Sequence, residues 1–142
     1  MKKKIVAGFF ITAICFAFFC CKQEKSEFAD EILSTVKQNA EALNNEDIDS
    51  YMATLHEDSP AYESTKEKLT QSFEQFDLSI SVEELNVVEA SGEEAKVEFV
   101  QVTKSGGSSE FNDNRMKGVH LLRKVGGEWK IYKTEIRNID YL

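Results

Sequence analysis

The chain has 142 residues, with 17 basic and 25 acidic side chains, a net charge of −8 and an isoelectric point near 4.8. That length fits one domain with a single hydrophobic core, and the acidic balance repels phosphate backbones, which sets nucleic acid aside as a partner. All three cysteines (Cys15, Cys20, Cys21) stand near the start, so the rest of the chain has no thiol to pair or to bind metal.

Met1-Lys2-Lys3-Lys4 is a basic start, Ile5 to Phe19 is a run of apolar or small residues, and Cys20-Cys21-Lys22-Gln23-Glu24 ends it. The run is shorter than the ~20 residues that span a bilayer, and its basic–apolar–polar order is that of a secretory signal peptide. Phe18-Phe19-Cys20-Cys21 resembles the cleavage box of bacterial lipoprotein precursors, in which the cysteine after the cut receives a diacylglycerol. Phe18 departs from the small or aliphatic residue usual there. The resemblance implies a leader over 1–20, a lipid on Cys21 with Cys20 as the alternative, and a tether over 21–26. Residues 27–142 then form a domain exported to the bacterial envelope and held to a membrane. Lys2, Lys3 and Lys4 are the only charges of the leader, so 14 basic and 25 acidic residues remain, a net −11.

Helical periodicity comes first. Phe28, Ile32, Leu33, Val36, Ala40 and Leu43 make one apolar stripe. Asn44-Asn45 interrupts it, and Asn45 is placed to cap a second helix with Ile48, Tyr51, Met52 and Leu55 on one face. After the turn at Ser59-Pro60, Ser64 and Glu67 have capping-box spacing and open a third helix carrying Leu69, Phe73 and Phe76.

From Asp77 the period drops to two. Leu78-Ile80-Val82 and Leu85-Val87 alternate with polar residues, and Ala95-Val97-Phe99 answers across a turn at Ser91-Gly92. A three-residue loop over Ser91–Glu93 with a bulge predicts Val87 opposite Val97 and Leu85 opposite Phe99. After Ser105-Gly106-Gly107-Ser108-Ser109, two long strands follow, Phe111 to Val125 and Glu128 to about Ile139, turning at Gly126-Gly127. Three helices and then a four-stranded antiparallel meander predict an α+β domain with the helices on one sheet face.

In this arrangement "ALNNEDIDSYMATLHEDSPAYESTKEKL" resembles the helical half of the nuclear transport factor 2-like (cystatin-like α+β cone) superfamily, and "EFNDNRMKGVHLLRKVGGEWKIYKTEI" resembles its closing hairpin. The likeness covers nearly all of 24–142, through the order and spacing of loose motifs. It implies a curved sheet wrapped around helices with a conical pocket. The superfamily holds isomerases, dehydratases, epoxide hydrolases and domains without known activity, so the fold leaves function open. Its isomerases place an acidic base after the second helix. Aligned from Leu55, that position holds Ser64, which cannot abstract a carbon-bound proton unaided.

Two histidines remain. His56 falls at the end of the second helix and reads as a helix-end or surface group. An even turn at Gly126-Gly127 pairs Lys124 with Trp129, Leu122 with Ile131, His120 with Lys133 and Gly118 with Glu135. Trp129 and Ile131 then face the helices, and His120, Lys133 and Glu135 form a polar cluster further along the same face. Tyr62 is placed to line the pocket mouth. The opposite face would carry Val119, Leu121, Tyr132, Thr134 and Ile136, and the superfamily's habit makes such a face a homodimer surface. No phosphate loop, nucleophile elbow, calcium loop or metal-ligand spacing is present, and no metal or cofactor is expected. The reading that follows is an envelope lipoprotein whose non-catalytic cone domain binds a small molecule or a protein. The alternative is a small hydrolase, isomerase or dehydratase using His120 with Glu135.

Overall fold

The computed structural model describes residues 28–107 and 110–142. The leader over 1–20, the lipid on Cys21 (or Cys20) and the tether over 21–26 lie outside them. Among the described residues no helix is long and apolar enough to cross a membrane.

Helix α1 (Ala29–Asn44) carries Asp30 and Glu31 in its first turn, where negative charge suits the helix dipole. It buries Ile32, Val36, Asn39 and Ala42. Asn45 closes this helix instead of opening the next. Glu46 takes a left-handed φ of 54°, and Asp47 becomes the cap of α2 (Ile48–Ala53), its carboxylate accepting the Ser50 N–H at 3.0 Å. The Ser50 hydroxyl, donating to the same carboxylate at 2.6 Å, and then the Ser50 N–H hold the Asp47 carboxyl below the usual range. Helix α3 (Tyr62–Gln75) starts before the proposed capping box, with Ala61 at the cap position. Ser64 sits inside its first turn, donating to the Ala61 carbonyl at 3.2 Å. No residue of α3 is fully buried.

The strands β1 (Leu78–Ala90), β2 (Glu94–Ser105), β3 (Asn114–Val125) and β4 (Glu128–Tyr141) form one antiparallel meander in the order β1-β2-β3-β4. Val87 pairs with Val97 and Leu85 with Phe99, as the alternation predicts. The ladder closes at Ala90–Ala95, which leaves a loop one residue longer than the expected Ser91–Glu93, and a bulge at Val88 absorbs the difference. Asn44 clasps the first strand to α1: its side chain donates to the Ile80 carbonyl at 2.8 Å and accepts the Ile80 N–H at 2.6 Å. The β3–β4 turn uses Gly126 and Gly127 at φ 58° and 89°, the geometry of a two-residue hairpin.

The core lies between α1, α2 and the inner sheet face, around Ile32, Val36, Val97, Leu122, Trp129 and Ile131. Trp129 faces the helices as expected, with 3% of its surface exposed, and its ring meets Phe28 at 5.9 Å.

Beyond Ile131 the register departs from simple alternation. Lys124–Trp129 and Leu122–Ile131 pair as predicted, but Tyr132 is an extra residue, so Leu121 pairs with Lys133, His120 with Thr134, Val119 with Glu135 and Gly118 with Ile136. From there to Ile136 the side chains of β4 are on the other face from the one expected, until a second extra residue, Arg137, restores the alternation. Thr134 and Ile136 turn inward; Lys133 and Glu135 turn outward. The apolar outer face expected to support a homodimer therefore loses Thr134 and Ile136 and keeps Val119, Leu121 and Tyr132. Val119 is buried, and the outer face is crossed by ion pairs: Glu83–Arg115 and Glu98–Arg137 at 2.9 Å, and Glu94–Arg123 at 3.2 Å.

Candidate functional site

A cavity of about 510 Å³ opens between α1, α3 and the β3–β4 half of the sheet. Its depth is set by buried residues, among them Asn39 from α1, Leu55 after α2, Phe99 from β2, His120 from β3 and Ile131 from β4. Its rim is exposed and includes Pro60, Ser64, Lys133, Thr134 and Ile136.

His120 is the central polar group. Only 8% of it is exposed, its ring stacks on Phe99 with centroids 4.3 Å apart, and its Nδ1 lies 2.8 Å from the Thr134 hydroxyl. Burial pushes its pKa down to about 4, so the ring is neutral at ordinary pH. The stack depends on Gly118. A Cβ there would fall 2.6 Å from the Glu135 carbonyl oxygen and 2.8 Å from the Phe99 ring.

A second polar group is built from the helices. Asn39 Nδ2 donates to the Thr54 hydroxyl at 2.7 Å, and that hydroxyl donates to the Tyr51 carbonyl at 2.7 Å. The Tyr51 phenol, which also lines the cavity, is raised in pKa by burial, an effect that the neighbouring Asn39 side chain partly offsets. The buried titratable groups of this cavity are thus uncharged.

The other expected site residues are dispersed. Lys133 reaches the rim but pairs with Glu135 at 2.7 Å, which raises the lysine pKa and lowers the glutamate's. Glu135 is exposed and paired in register with Val119, on the face opposite His120, so the expected His120–Glu135 set is not assembled. Tyr62 packs on the core instead of lining the cavity mouth. His56 lies three residues past the last residue of α2, outside the cavity lining, edge-on to Tyr132 at 5.6 Å, with its Nδ1 accepting the Asp58 N–H at 3.1 Å. Asn39, Tyr51 and Thr134 were missed as site residues. Asn39 occupies a core position of the α1 stripe, three residues after Val36, and a polar residue there was the available signal. Thr134 had none, because the bulge is unmarked. Among the described residues no cluster of His, Cys, Asp and Glu is arranged to hold a metal ion.

Helices laid against a four-stranded antiparallel meander, with a cavity between them, define the cone architecture of nuclear transport factor 2-like proteins. Solved structures agree on the fold. A cystatin-like protein of unknown function from Nostoc punctiforme matches with a TM-score of 0.65 at 17% identity, over 79% of this chain and 90% of that one. A putative scytalone dehydratase from Novosphingobium aromaticivorans matches with a TM-score of 0.67 at 19% identity, over 82% and 87%. A ketosteroid isomerase-like protein from Erwinia carotovora atroseptica matches with a TM-score of 0.60 at 21% identity, over 79% and 98%. The sequence is more specific. The family model described as the C-terminal domain of anti-sigma-I factor RsgI9 matches residues 34–142, and this chain belongs to that family. Anti-sigma-I factor RsgI9 of Acetivibrio thermocellus is 35% identical over 94 residues, 66% of this chain, which spans 13% of the length of that relative.

Proposed function

We propose that this chain is a lipoprotein of the bacterial envelope, anchored through Cys21, whose cone domain is a non-catalytic binding module that takes a small molecule into the cavity around His120. The observation that carries this reading is the state of the cavity's titratable groups. His120 and Tyr51 are held neutral by burial, and Glu135, the intended partner of His120, lies on the opposite face in an ion pair. Acid–base catalysis calls for a group that titrates near the working pH, within hydrogen-bond reach of the proton it moves. A histidine with a pKa of about 4 and no carboxylate behind it is a hydrogen-bonding group for a ligand. Membership of a family named for an anti-sigma factor supports a protein, not nucleic acid, as the macromolecular partner, in keeping with the net acidic charge.

The test has two parts. Mass spectrometry of protein purified natively is expected to find a bound small molecule that is lost when Leu69→Trp fills the cavity; turnover of a substrate that depends on His120 would defeat the non-catalytic reading. Labelled palmitate is expected in the wild-type chain and absent after Cys21→Ala. Incorporation that survives Cys20→Ala and Cys21→Ala together would remove the anchor.

A further inference from the structure

The lining of the cavity is polar in places but carries no unpaired charge. We infer that it takes an uncharged amphiphile, with an apolar body and one hydroxyl, carbonyl or amide head group that docks on His120. The same body bearing a carboxylate or an ammonium is excluded. This rests on the cone being a binding cavity, and adds to it the class of ligand.

Three features carry the inference. Among the described residues the ring of His120 makes one hydrogen bond, through Nδ1 to Thr134, and its exposed fraction is 8%. Nε2 is thus the ring atom left for a ligand, on a side chain that lines the cavity. Next, Asn39 and Thr54 are engaged with one another and with the Tyr51 backbone, so the second polar group is already satisfied. Of the two buried polar residues that line the cavity, Asn39 and His120, the histidine is therefore the one left for a ligand, beside Leu43, Leu55, Leu69, Met116 and Ile131. Finally, the single ionic side chain of the lining, Lys133, is exposed at the rim and paired with Glu135 at 2.7 Å. An ion drawn into the cavity would lose its hydration and meet no counter-charge, and burial of an unpaired charge is far more costly than burial of a hydrogen-bonded neutral group. The volume of about 510 Å³ falls within the usual range for small-molecule sites.

The experiment uses the full-length chain in detergent with its histidine rings isotopically labelled. His56 and His120 are the two histidines, so the ring resonances separate the cavity from the surface. The probes share one body: cyclohexylmethanol, cyclohexanecarboxylate and cyclohexylmethylamine, titrated at neutral pH. The alcohol is expected to shift the His120 ring saturably and leave His56 in place. The carboxylate and the ammonium are expected to bind at least about tenfold more weakly, the equivalent of 1.4 kcal/mol. His120→Phe, followed by ligand-observed saturation transfer, is expected to weaken the alcohol by about tenfold, roughly one hydrogen bond. If either ion binds within about threefold of the alcohol, the ligand class is wrong and the cavity stands. If none of the three moves His120, the cavity reading falls with it. Alcohol binding that is unchanged in His120→Phe overturns docking on His120; should that variant fail to fold, equal shifts of both wild-type rings overturn it as well.

Discussion

A histidine buried in neutral form makes folding depend on pH, and the sign follows from which state takes the proton first. The unfolded ring protonates as pH falls through 6.5, the folded one at about 4. Stability from His120 is therefore complete above about pH 6.5 and is lost as pH falls towards 4. The whole effect is on the order of 3 kcal/mol at ~1.4 kcal/mol per pH unit. In urea titrations at pH 7 and pH 5, His120→Gln is expected to show a smaller drop than the wild type by about 2 kcal/mol, since the carboxylates titrate in both proteins. Equal drops would mean that the ring is solvated. Gly118 acts on the same ring from below. Gly118→Ala would force a methyl against the Glu135 carbonyl and the Phe99 ring, with a cost of about 1–3 kcal/mol. It is also expected to displace the ring stacked on Phe99, visible as a His120 shift in the folded protein.

At the scale of elements, α1 and α3 differ most. Helix α1 buries four residues and is clasped to β1 through Asn44, whereas α3 buries none fully. Amides of α3 are expected to exchange with solvent well before those of α1 under native conditions, in keeping with local opening of weakly packed segments. Trp129 ties β4 to the helices, and Trp129→Ala is expected to cost about 3–5 kcal/mol, a large share of the ~5–15 kcal/mol of a small domain. A loss under about 1 kcal/mol would place the ring at the surface. The elements themselves were legible in the sequence because periodicity reports burial directly: the α1 stripe, the alternation through Val97 and Phe99, and the glycine turn before Trp129 all reappear. What stayed hidden depended on counting. A bulge is two residues opposite one, and nothing in Ile131-Tyr132-Lys133 marks which is the extra. Tyr132 therefore reversed the faces of His120's neighbours, although the pairing up to Ile131 was right. The helix caps failed for a related reason, because Asn45 and Asp47 suit a cap equally by composition and only the backbone turn at Glu46 selects between them.

The described residues share one core between the helical and strand halves, so a protein beginning at Lys22 is expected to unfold in one step, with the same midpoint by circular dichroism and by Trp129 fluorescence; two midpoints would divide the domain. Its ends are also unlike. The chain enters beside Trp129, where Phe28 packs on that ring. From there β4 runs away towards Tyr141, 72% exposed, a path of at most ~40 Å for a dozen extended residues. The cavity rim at Thr134 and Ile136 lies part-way along that path. If the entering segment is the leash to a membrane, the leash holds the molecule at its Trp129 end. The cavity rim then stands off from the lipid by a distance that the domain's own length sets as much as the leash does.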